Sequence, residues 1–378
     1  MIIFALLTAL IISTIPVGAL TSTQPDTSSG AALLGPVKTT PALTSSFCEF
    51  RARHFHAGID AKTYGQIGVP CVAVADGRIT RIKVTPGGYG KALYLDFGGG
   101  LVAVYAHLDR FVPLLTDILH REQERTSKYT QDIFLEGDQA PRFRRGEIVA
   151  YSGRSGTVHP HLHFELRKGW DQAINPLTNG YKAEDTIPPT PTDLAVTPLD
   201  ASSTVEMDCQ PRLYERLMRH HDGVWRVGEP IGVNGRVGLS LDAYDRANSA
   251  ENVLSAYRFE LFVNGQSRWI TQYDEFNYED TRQIEVERDY RLWRNQKGAY
   301  HRLYRASGNR LDSIVFGDGV IVGRDSADFP IEVRILVSDA AGNQSVVELT
   351  LVSDRIEDEM RAVVGRPLWN GNGSSPRS

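Results

Sequence analysis

The chain has 378 residues, of which 41% are hydrophobic and 23% are charged, and its formal net charge is −5. This length favours two folded domains with flanking segments over a single core, and the composition is typical of globular proteins. Because basic residues are not in surplus, the sequence lacks the charge pattern of a nucleic-acid-binding protein. Its three cysteines, none in a CxxC pair, argue against a disulfide scaffold.

The amino-terminal residues predict export. Residues 1–19 are apolar up to Val17 and end in small residues, as in a secretory signal peptide. No Lys or Arg precedes the apolar run, so an uncleaved anchor is the alternative. Residues 20–44 are rich in Thr, Ser, Pro and Gly, which predicts a linker.

Short apolar runs separated by glycines predict a β-rich domain over residues 45–183. One hairpin is predicted around Asp76-Gly77, and a second in KALYLDFGGGLVAVYAHL. Residues 113–134 contain no glycine, and their apolar residues have helical spacing. We therefore expect a helical insertion over about 112–142, which would overhang a substrate groove or pack on the second domain.

The remainder of the chain continues the β pattern. Residues 184–198 contain four prolines and predict an interdomain linker. Beyond it, an Asn-Gly turn at 264–265 joins two predicted strands, and residues 331–337 alternate as in a sheet with one buried face. We predict an immunoglobulin-like β-sandwich over residues 199–355 and a flexible tail over 356–378.

The stretch HFHAGID places His56 four residues before Asp60, with Gly58 between them. On an extended strand, residues four apart are separated by ~13 Å, too far to share one ion with bonds of ~2.0–2.2 Å. A helix would bring them onto one face, but Gly58 and the flanking strand patterns argue against a helix. The pair can bind a metal only if the chain bends sharply at Ala57-Gly58, where glycine suits a bend.

The stretch HPHLHFELR adds His159, His161 and His163. In a strand, His161 and His163 project from one face while Leu162 points to the core. One of these two histidines can be a metal ligand and the other its neighbour, and the residues alone do not decide which. Glu165 is either a hydrogen-bond partner of a histidine or an outward strand residue.

A third stretch, YAHL, brings His107 to the end of a predicted strand. A catalytic zinc ion takes three protein ligands and keeps one position open for water. His56, Asp60 and one of the paired histidines can supply the three ligands, and the other histidines can orient the water or accept its proton. Zinc lowers the pKa of bound water to ~7 and polarises a carbonyl, so the implied reaction is hydrolysis of an amide or ester.

Taken in order, HFHAGID, YAHL and HLHFELR resemble the motifs of the LytM/lysostaphin-type zinc endopeptidases, β-rich enzymes that cut the peptide bridges of bacterial peptidoglycan. The resemblance implies a mostly β fold, with a LytM-type catalytic sheet carrying the helical insertion and followed by the sandwich. It also assigns the site residues: His56, Asp60 and His163 as ligands of one Zn²⁺, and His107 and His161 as the catalytic pair beside the water.

The resemblance covers residues 44–180 and includes departures from the family pattern. Cys48 stands where the family has a glycine, and the loop before PHLH is shorter and contains His159, which we expect at the rim of the cleft. His54 is expected outside the set of metal ligands. Arg167 is predicted to be surface charge.

The favoured function is an exported zinc endopeptidase, in the periplasm or at the surface of a bacterium, with peptidoglycan peptide as substrate. The alternatives are a non-catalytic regulator or binder of cell-wall hydrolases with the same fold, and a zinc peptidase that acts on proteins. Inactive relatives typically lack zinc ligands, whereas every matching position is filled here. No nucleic-acid partner and no membrane span after signal cleavage are expected, and the sandwich could pack on the catalytic domain.

Overall fold

The computed structural model describes five stretches of the chain, which are residues 33–39, 42–248, 251–295, 297–323 and 328–354. The predicted signal peptide, the predicted tail and most of the first predicted linker lie outside these residues. None of the helices in the described stretches is long and apolar enough to cross a membrane. Below, residues 33–183 are called the N-terminal part and residues 184–354 the C-terminal part.

The N-terminal part is built on a curved antiparallel sheet. Its strands are β1 (Leu43–Ser45), β2 (Phe50–Arg51), β3 (His54–Phe55), β4 (Ile59–Lys62), β5 (Pro70–Val72), β6 (Gly77–Val84), β7 (Lys91–Asp96), β8 (Leu101–Ala106), β9 (Leu108–Phe111), β10 (Gln131–Phe134), β11 (Arg142–Phe143), β12 (Ile148–Ser152), β13 (His161–Lys168) and β14 (Gln172–Ile174). The main sheet has the order β1-β4-β13-β8-β7-β6-β10, and β5-β12-β9 form a small second sheet. This order places β13 between β4 and β8, so residues from three strands can meet on one face.

One predicted hairpin is confirmed and the other is wrong. β7 and β8 pair directly across a turn of three glycines with positive φ, which glycine adopts without strain. β5 and β6 are both strands, but β5 pairs with β12 and β6 pairs with β7. Asp76 instead accepts a hydrogen bond from the Arg145 backbone N–H at 2.7 Å, so the Asp76-Gly77 segment leads the chain from one sheet to the other.

The predicted helix is present as α1 (Pro113–Thr126), with proline in its first turn. At this position a backbone N–H would have no partner within the helix, so proline costs no hydrogen bond. Leu115 and Leu119 are buried in the core of the N-terminal part, together with residues from the main sheet. β10 and β11 follow the helix and pair with β6. The insertion therefore packs on the first core and widens its sheet, contrary to our expectation that it would overhang a groove or pack on the second domain.

The C-terminal part is also β-rich. Its strands are β15 (Thr190–Pro198), β16 (Thr204–Val205), β17 (Arg212–Tyr214), β18 (Met218–Arg219), β19 (Trp225–Arg226), β20 (Ile231–Asp245), β21 (Leu254–Ser255), β22 (Arg258–Val263), β23 (Gln266–Gln272), β24 (Glu275–Asn277), β25 (His301–Arg302), β26 (Ile314–Gly317), β27 (Ile321–Gly323), β28 (Ile331–Ser338) and β29 (Gln344–Ser353), with short helices α2 (Ile284–Glu287) and α3 (Tyr290–Arg294). The Asn-Gly hairpin β22–β23 and the alternating hairpin β28–β29 are confirmed. The immunoglobulin-like assignment and the domain boundaries remain predictions.

The two parts share strand pairing and core. β24 of the C-terminal part pairs with β14 and so continues the main sheet of the N-terminal part. Phe47, Phe55 and Ala57 lie in the hydrophobic cluster built mainly from the C-terminal part. The proline-rich segment predicted as a linker contains strand β15, which pairs with β20 and β17.

Candidate metal centre and active site

The chain bends between β3 and β4, as a metal site in HFHAGID requires. His56 and Asp60 are both buried, and His56 Nε2 lies 3.1 Å from Asp60 Oδ1. At Gly58 an added Cβ would lie 2.1 Å from the carbonyl oxygen of Phe164. Glycine is therefore needed at this bend because any side chain would clash with β13. A left-handed backbone is not the reason, since the φ of Gly58 is not in that region.

Strand β13 supplies four polar side chains on one face. Residues two apart in a strand point the same way, and His161, His163, Glu165 and Arg167 alternate with the buried Leu162, Phe164 and Leu166. The pairing places His163 opposite Asp60 on β4 and opposite Ala106 on β8. This register brings the two histidine motifs into contact.

Three electron-pair donors converge at the centre of the site. His163 Nδ1 lies 2.9 Å from Asp60 Oδ1 and 2.9 Å from His56 Nε2, and the remaining edge of the triangle is the 3.1 Å contact from His56 to Asp60. Around a tetrahedral zinc ion with bonds of ~2.0–2.1 Å, neighbouring ligand atoms are separated by ~3.3 Å. The triangle therefore has nearly the size that one zinc ion requires.

Outer hydrogen bonds fix which ring nitrogens face inward. His56 Nδ1 lies 2.7 Å from the Ser46 carbonyl oxygen, and His163 Nε2 lies 2.8 Å from Glu165 Oε1. Both partners are acceptors, so these nitrogens carry the protons and donate. The lone pairs of His56 Nε2 and His163 Nδ1 then point at the Asp60 carboxylate. Three acceptors facing one another need a cation, and a two-histidine, one-carboxylate set is a donor set of zinc sites.

The charges agree with a cation at this point. Although burial raises the pKa of Asp60, His56 and His163 hold it well below its usual range. Burial lowers the pKa of His163, but its hydrogen bonds to Asp60 and Glu165 outweigh burial and raise it to about 9. The site therefore favours a positive charge between these side chains, which a second proton on His163 Nδ1 supplies when no ion is bound and which Zn²⁺ would replace.

His107 and His161 stand beside the triangle with a different arrangement. Their rings are in edge contact, with centroids 4.8 Å apart, and both are only partly buried. His107 Nδ1 lies 2.9 Å from the Ser155 carbonyl and His161 Nδ1 lies 2.9 Å from the His159 carbonyl. Each ring thus donates from Nδ1 and keeps the lone pair of Nε2 for another partner.

Burial lowers the pKa of both rings, for His107 to about 4 with the neighbouring His163 adding to the effect. His107 also has a left-handed backbone, with φ of 59°, which is uncommon for a residue other than glycine. Its backbone N–H donates to the Tyr89 carbonyl at 2.9 Å. The end of β8 is therefore turned so that this ring faces His161.

A groove of about 480 Å³ runs over the five side chains. Its walls include Arg51, Tyr89, Thr157 and, from the C-terminal part, Tyr278 and Thr281. His54 and His159 are exposed, as expected for residues outside the ligand set. The site is therefore open to solvent on one side, and both parts of the chain contribute to its walls.

Sequence reasoning left Glu165 undecided and was wrong about Arg167. Glu165 is fully buried, and Arg167 Nε donates to its Oε2 at 2.7 Å, so Arg167 is a buried ion-pair partner and not surface charge. Burial raises the pKa of Glu165, but Arg167 and His163 outweigh it and keep the carboxylate ionised. The alternation of β13 was the available signal, because it places both residues on the face of His163.

Two tyrosines that sequence reasoning missed complete this network. Tyr278 donates to Glu165 Oε2 at 2.7 Å, and Tyr89 donates to Glu165 Oε1 at 2.5 Å. Glu165 thus receives hydrogen bonds from two phenols and one guanidinium in addition to its contact with His163. A carboxylate held in this way fixes the tautomer and ring orientation of the histidine it contacts.

Comparison with known proteins finds relatives that match about a third of the chain. DD-carboxypeptidase/endopeptidase Mpg of Neisseria meningitidis is 32% identical over 124 residues, which make up 32% of this chain and 22% of that protein. Lipoprotein NlpD of Yersinia enterocolitica is 30% identical over 114 residues, which make up 30% of this chain and 91% of that protein. The chain thus spans only 22% of the length of the Mpg proteins it matches.

Among solved structures, the catalytic domain of the prophage-encoded M23 protein EnpA of Enterococcus faecalis is 25% identical. The alignment covers 37% of this chain and 92% of that one, with a TM-score of 0.28. No protein-family model matches the chain.

Proposed function

This chain belongs to the LytM-type peptidase family, and from that premise we propose that it is a zinc-dependent endopeptidase that hydrolyses the peptide cross-links of bacterial peptidoglycan. The observation that carries the proposal is the convergence of His56 Nε2, Asp60 Oδ1 and His163 Nδ1 within 2.9–3.1 Å, with two further histidines beside them. The presence of all five side chains in one place favours a catalytic member of the family over a regulator that lacks zinc ligands.

The metal ligands in this proposal are His56, Asp60 and His163. When bound, zinc supplies Lewis acidity, which polarises a carbonyl and lowers the pKa of water to ~7. Ser46 and Glu165 hold the two histidine rings in the required tautomers by accepting their outer protons. The ligand lone pairs are thereby aimed inward before any metal arrives, which limits the reorganisation needed on binding.

His107 and His161 are the proton-handling pair. Because their Nδ1 atoms are committed to backbone carbonyls, each Nε2 can accept a proton from the attacking water or hydrogen-bond a charge that develops on the carbonyl oxygen. The proton then has to reach the leaving amine, and a general acid–base of this kind contributes typically ~10²–10⁴-fold in rate. Partial exposure to the groove lets both rings reach substrate.

The proposed substrate and location rest on the family. A relative bears the name DD-carboxypeptidase/endopeptidase, and we propose a peptide of the cell wall as the substrate of this chain as well. The predicted signal peptide fits export to the periplasm or the cell surface, where that substrate lies. The open groove, with walls from both parts of the chain, suits an extended peptide better than a small molecule.

The test is zinc content and wall digestion, measured together on the purified chain and on His161→Ala. We expect one zinc per chain in both proteins, and release of soluble cross-link peptides from peptidoglycan sacculi by the unmodified chain only. His220→Ala, which alters an exposed histidine of the C-terminal part, is the control and should behave as the unmodified chain.

Two outcomes would contradict the proposal. Zinc binding without peptide release from several wall types would favour a regulator or binder of cell-wall hydrolases. Absence of zinc in the unmodified chain would disprove the ligand set itself.

A further inference from the structure

A second cluster of ligand atoms lies in the C-terminal part. Asp185 is in the proline-rich segment, Asp245 ends β20, and Asp339 directly follows β28. One carboxylate oxygen from each lies within 4.8 Å of the other two. Three carboxylates from separate segments thus meet at one point, although like charges at this distance repel each other.

Asp245 is the least satisfied member of this cluster. Its residue is 4% exposed, and its Oδ1 has no hydrogen-bond partner among the described residues. An ionised oxygen buried without a partner is costly unless a cation is beside it. Burial raises the pKa of Asp245 to about 8, with Asp339 and Asp185 adding to the effect, which agrees with a missing positive charge.

The other two carboxylates are held in place by their own loops. Asp339 Oδ1 accepts hydrogen bonds from the backbone N–H groups of Ala341 and Asn343, both at 2.9 Å. Asn343 Nδ2 donates to Asp339 Oδ2 at 2.7 Å and to the Asp185 carbonyl at 3.2 Å. The loop after β28 therefore clamps the proline-rich segment beside Asp245, so the cluster is a built feature of the fold.

The donor set indicates a hard cation. All three ligands are carboxylate oxygens, which suit Ca²⁺ or Mg²⁺ and not zinc. Three oxygens spaced evenly around one Ca²⁺, with bonds of ~2.3–2.6 Å, are ~4.0–4.5 Å apart, and the three carboxylate oxygens here lie within 4.8 Å of one another. A neighbouring cavity of about 350 Å³, lined by Asp185 and Asp245, has room for the water molecules that complete a calcium shell. Lys182, an exposed residue, lines the same cavity.

We propose that Asp185, Asp245 and Asp339 form a calcium-binding site, separate from the histidine site. Bound Ca²⁺ would tie the proline-rich segment to the ends of β20 and β28. The cation would thereby set the path of the chain where it leaves the N-terminal part. The ligand atoms and the site's burial carry this proposal independently of any peptidase activity.

The test is calcium binding to the full-length, zinc-loaded chain after removal of other divalent ions. Calorimetry with CaCl₂ should show one saturable site per chain, and MgCl₂ should bind at least tenfold more weakly. Thermal unfolding should shift upward by several degrees with saturating Ca²⁺, because a ligand of the native state stabilises it by mass action. Zinc content should not change.

Variants make the test specific. Asp245→Asn should abolish both the calcium heat and the thermal shift, and without calcium at pH 9, above the raised pKa of Asp245, it should unfold at a higher temperature than the unmodified chain because repulsion is relieved. If this variant does not fold, Asp185→Asn serves the same purpose. Asp117→Asn, an exposed position on α1, should respond to calcium as the unmodified chain does. No calcium binding at millimolar concentration, binding unchanged in both cluster variants, or equal binding of Mg²⁺ would overturn the proposal.

Discussion

The buried triangle of His56, Asp60 and His163 and the half-buried pair of His107 and His161 are both built around histidines, but they differ in burial and in hydrogen bonding. In the triangle, each ring has both nitrogens committed, one to an outer acceptor and one to the centre. In the pair, each ring makes its hydrogen bond through Nδ1, to a backbone carbonyl, and His161 Nε2 lies at the longer distance of 3.6 Å from Asp60 Oδ1. The difference suggests that burial and outer partners, more than residue type, separate a ligand histidine from a proton carrier.

The largest expected effect comes from removing a ligand of the triangle. His163→Ala deletes one of three donors and leaves Glu165 without its histidine partner, so zinc affinity should fall by more than ~100-fold and peptide release should drop to background. Zinc content after dialysis, measured for His163→Ala and His161→Ala side by side, tests directly whether His163 binds the metal and His161 does not. If His163→Ala kept its zinc while His161→Ala lost it, the two roles would have to be exchanged.

A change in the pair should affect rate and spare the metal. We suggest His107→Asn, because asparagine tolerates the left-handed backbone at this position better than most residues. kcat should fall by ~10²–10⁴-fold, with one zinc still bound and KM little changed. Steady-state kinetics on a soluble cross-linked peptide provide the measurement, with His159→Ala, an exposed neighbour of the site, as the control. Loss of zinc in His107→Asn would assign the residue to the triangle.

The third prediction concerns the outer partner of His163. Glu165→Gln removes the negative charge that holds this ring and pairs with Arg167, so zinc affinity should fall by ~10–100-fold. Competition with a chelator of known affinity measures the change. Glu275→Gln, which removes the partly buried ion-pair partner of Lys168, is the matched control. Equal zinc affinity in the two variants would show that the contact with Glu165 does not position the ligand.

The smallest predicted effect tests the influence of the C-terminal part. Tyr278→Phe removes one hydrogen bond to the ionised carboxylate of Glu165, which should lower the unfolding free energy by ~1.5–3 kcal/mol and weaken zinc binding less than Glu165→Gln does. Chelator competition and urea unfolding together provide the measurement. Tyr290→Phe, in the same part of the chain and away from Glu165, should leave zinc affinity unchanged. A Tyr278 variant indistinguishable from this control would remove Tyr278 from the network.

Local sequence patterns predicted the helices and strands of this protein better than they predicted which strands pair with each other. The β7–β8 hairpin, helix α1 and the common face of His161 and His163 all follow from periodicity or turn residues within about a dozen positions. The β5–β6 hairpin failed because each strand is paired by a segment distant in sequence, and no local pattern carries that information.

The residues of the site fall into the same two groups, those that a local pattern indicates and those that only the whole fold brings together. The alternation of β13 places Glu165 and Arg167 on the face of the histidines, but alternation alone does not show whether that face is buried at these two positions. Tyr89 and Tyr278 lie 76 and 113 positions from Glu165, and each occurs in a stretch that resembles an ordinary turn or loop. Their role depends on how the main sheet curves and on where β24 attaches, which are properties of the whole fold.

The attachment of β24 to β14 has a consequence for how such a protein can be rearranged in evolution. An enzyme unit that is free to be shuffled between genes must contain every partner of its metal ligands. Here Tyr278, which directly follows β24, braces the carboxylate behind His163, so the C-terminal part could not be exchanged for another module without rebuilding that support. We therefore expect the two parts to be inherited together, with the residues at β14, Glu165 and Tyr278 changing as a group.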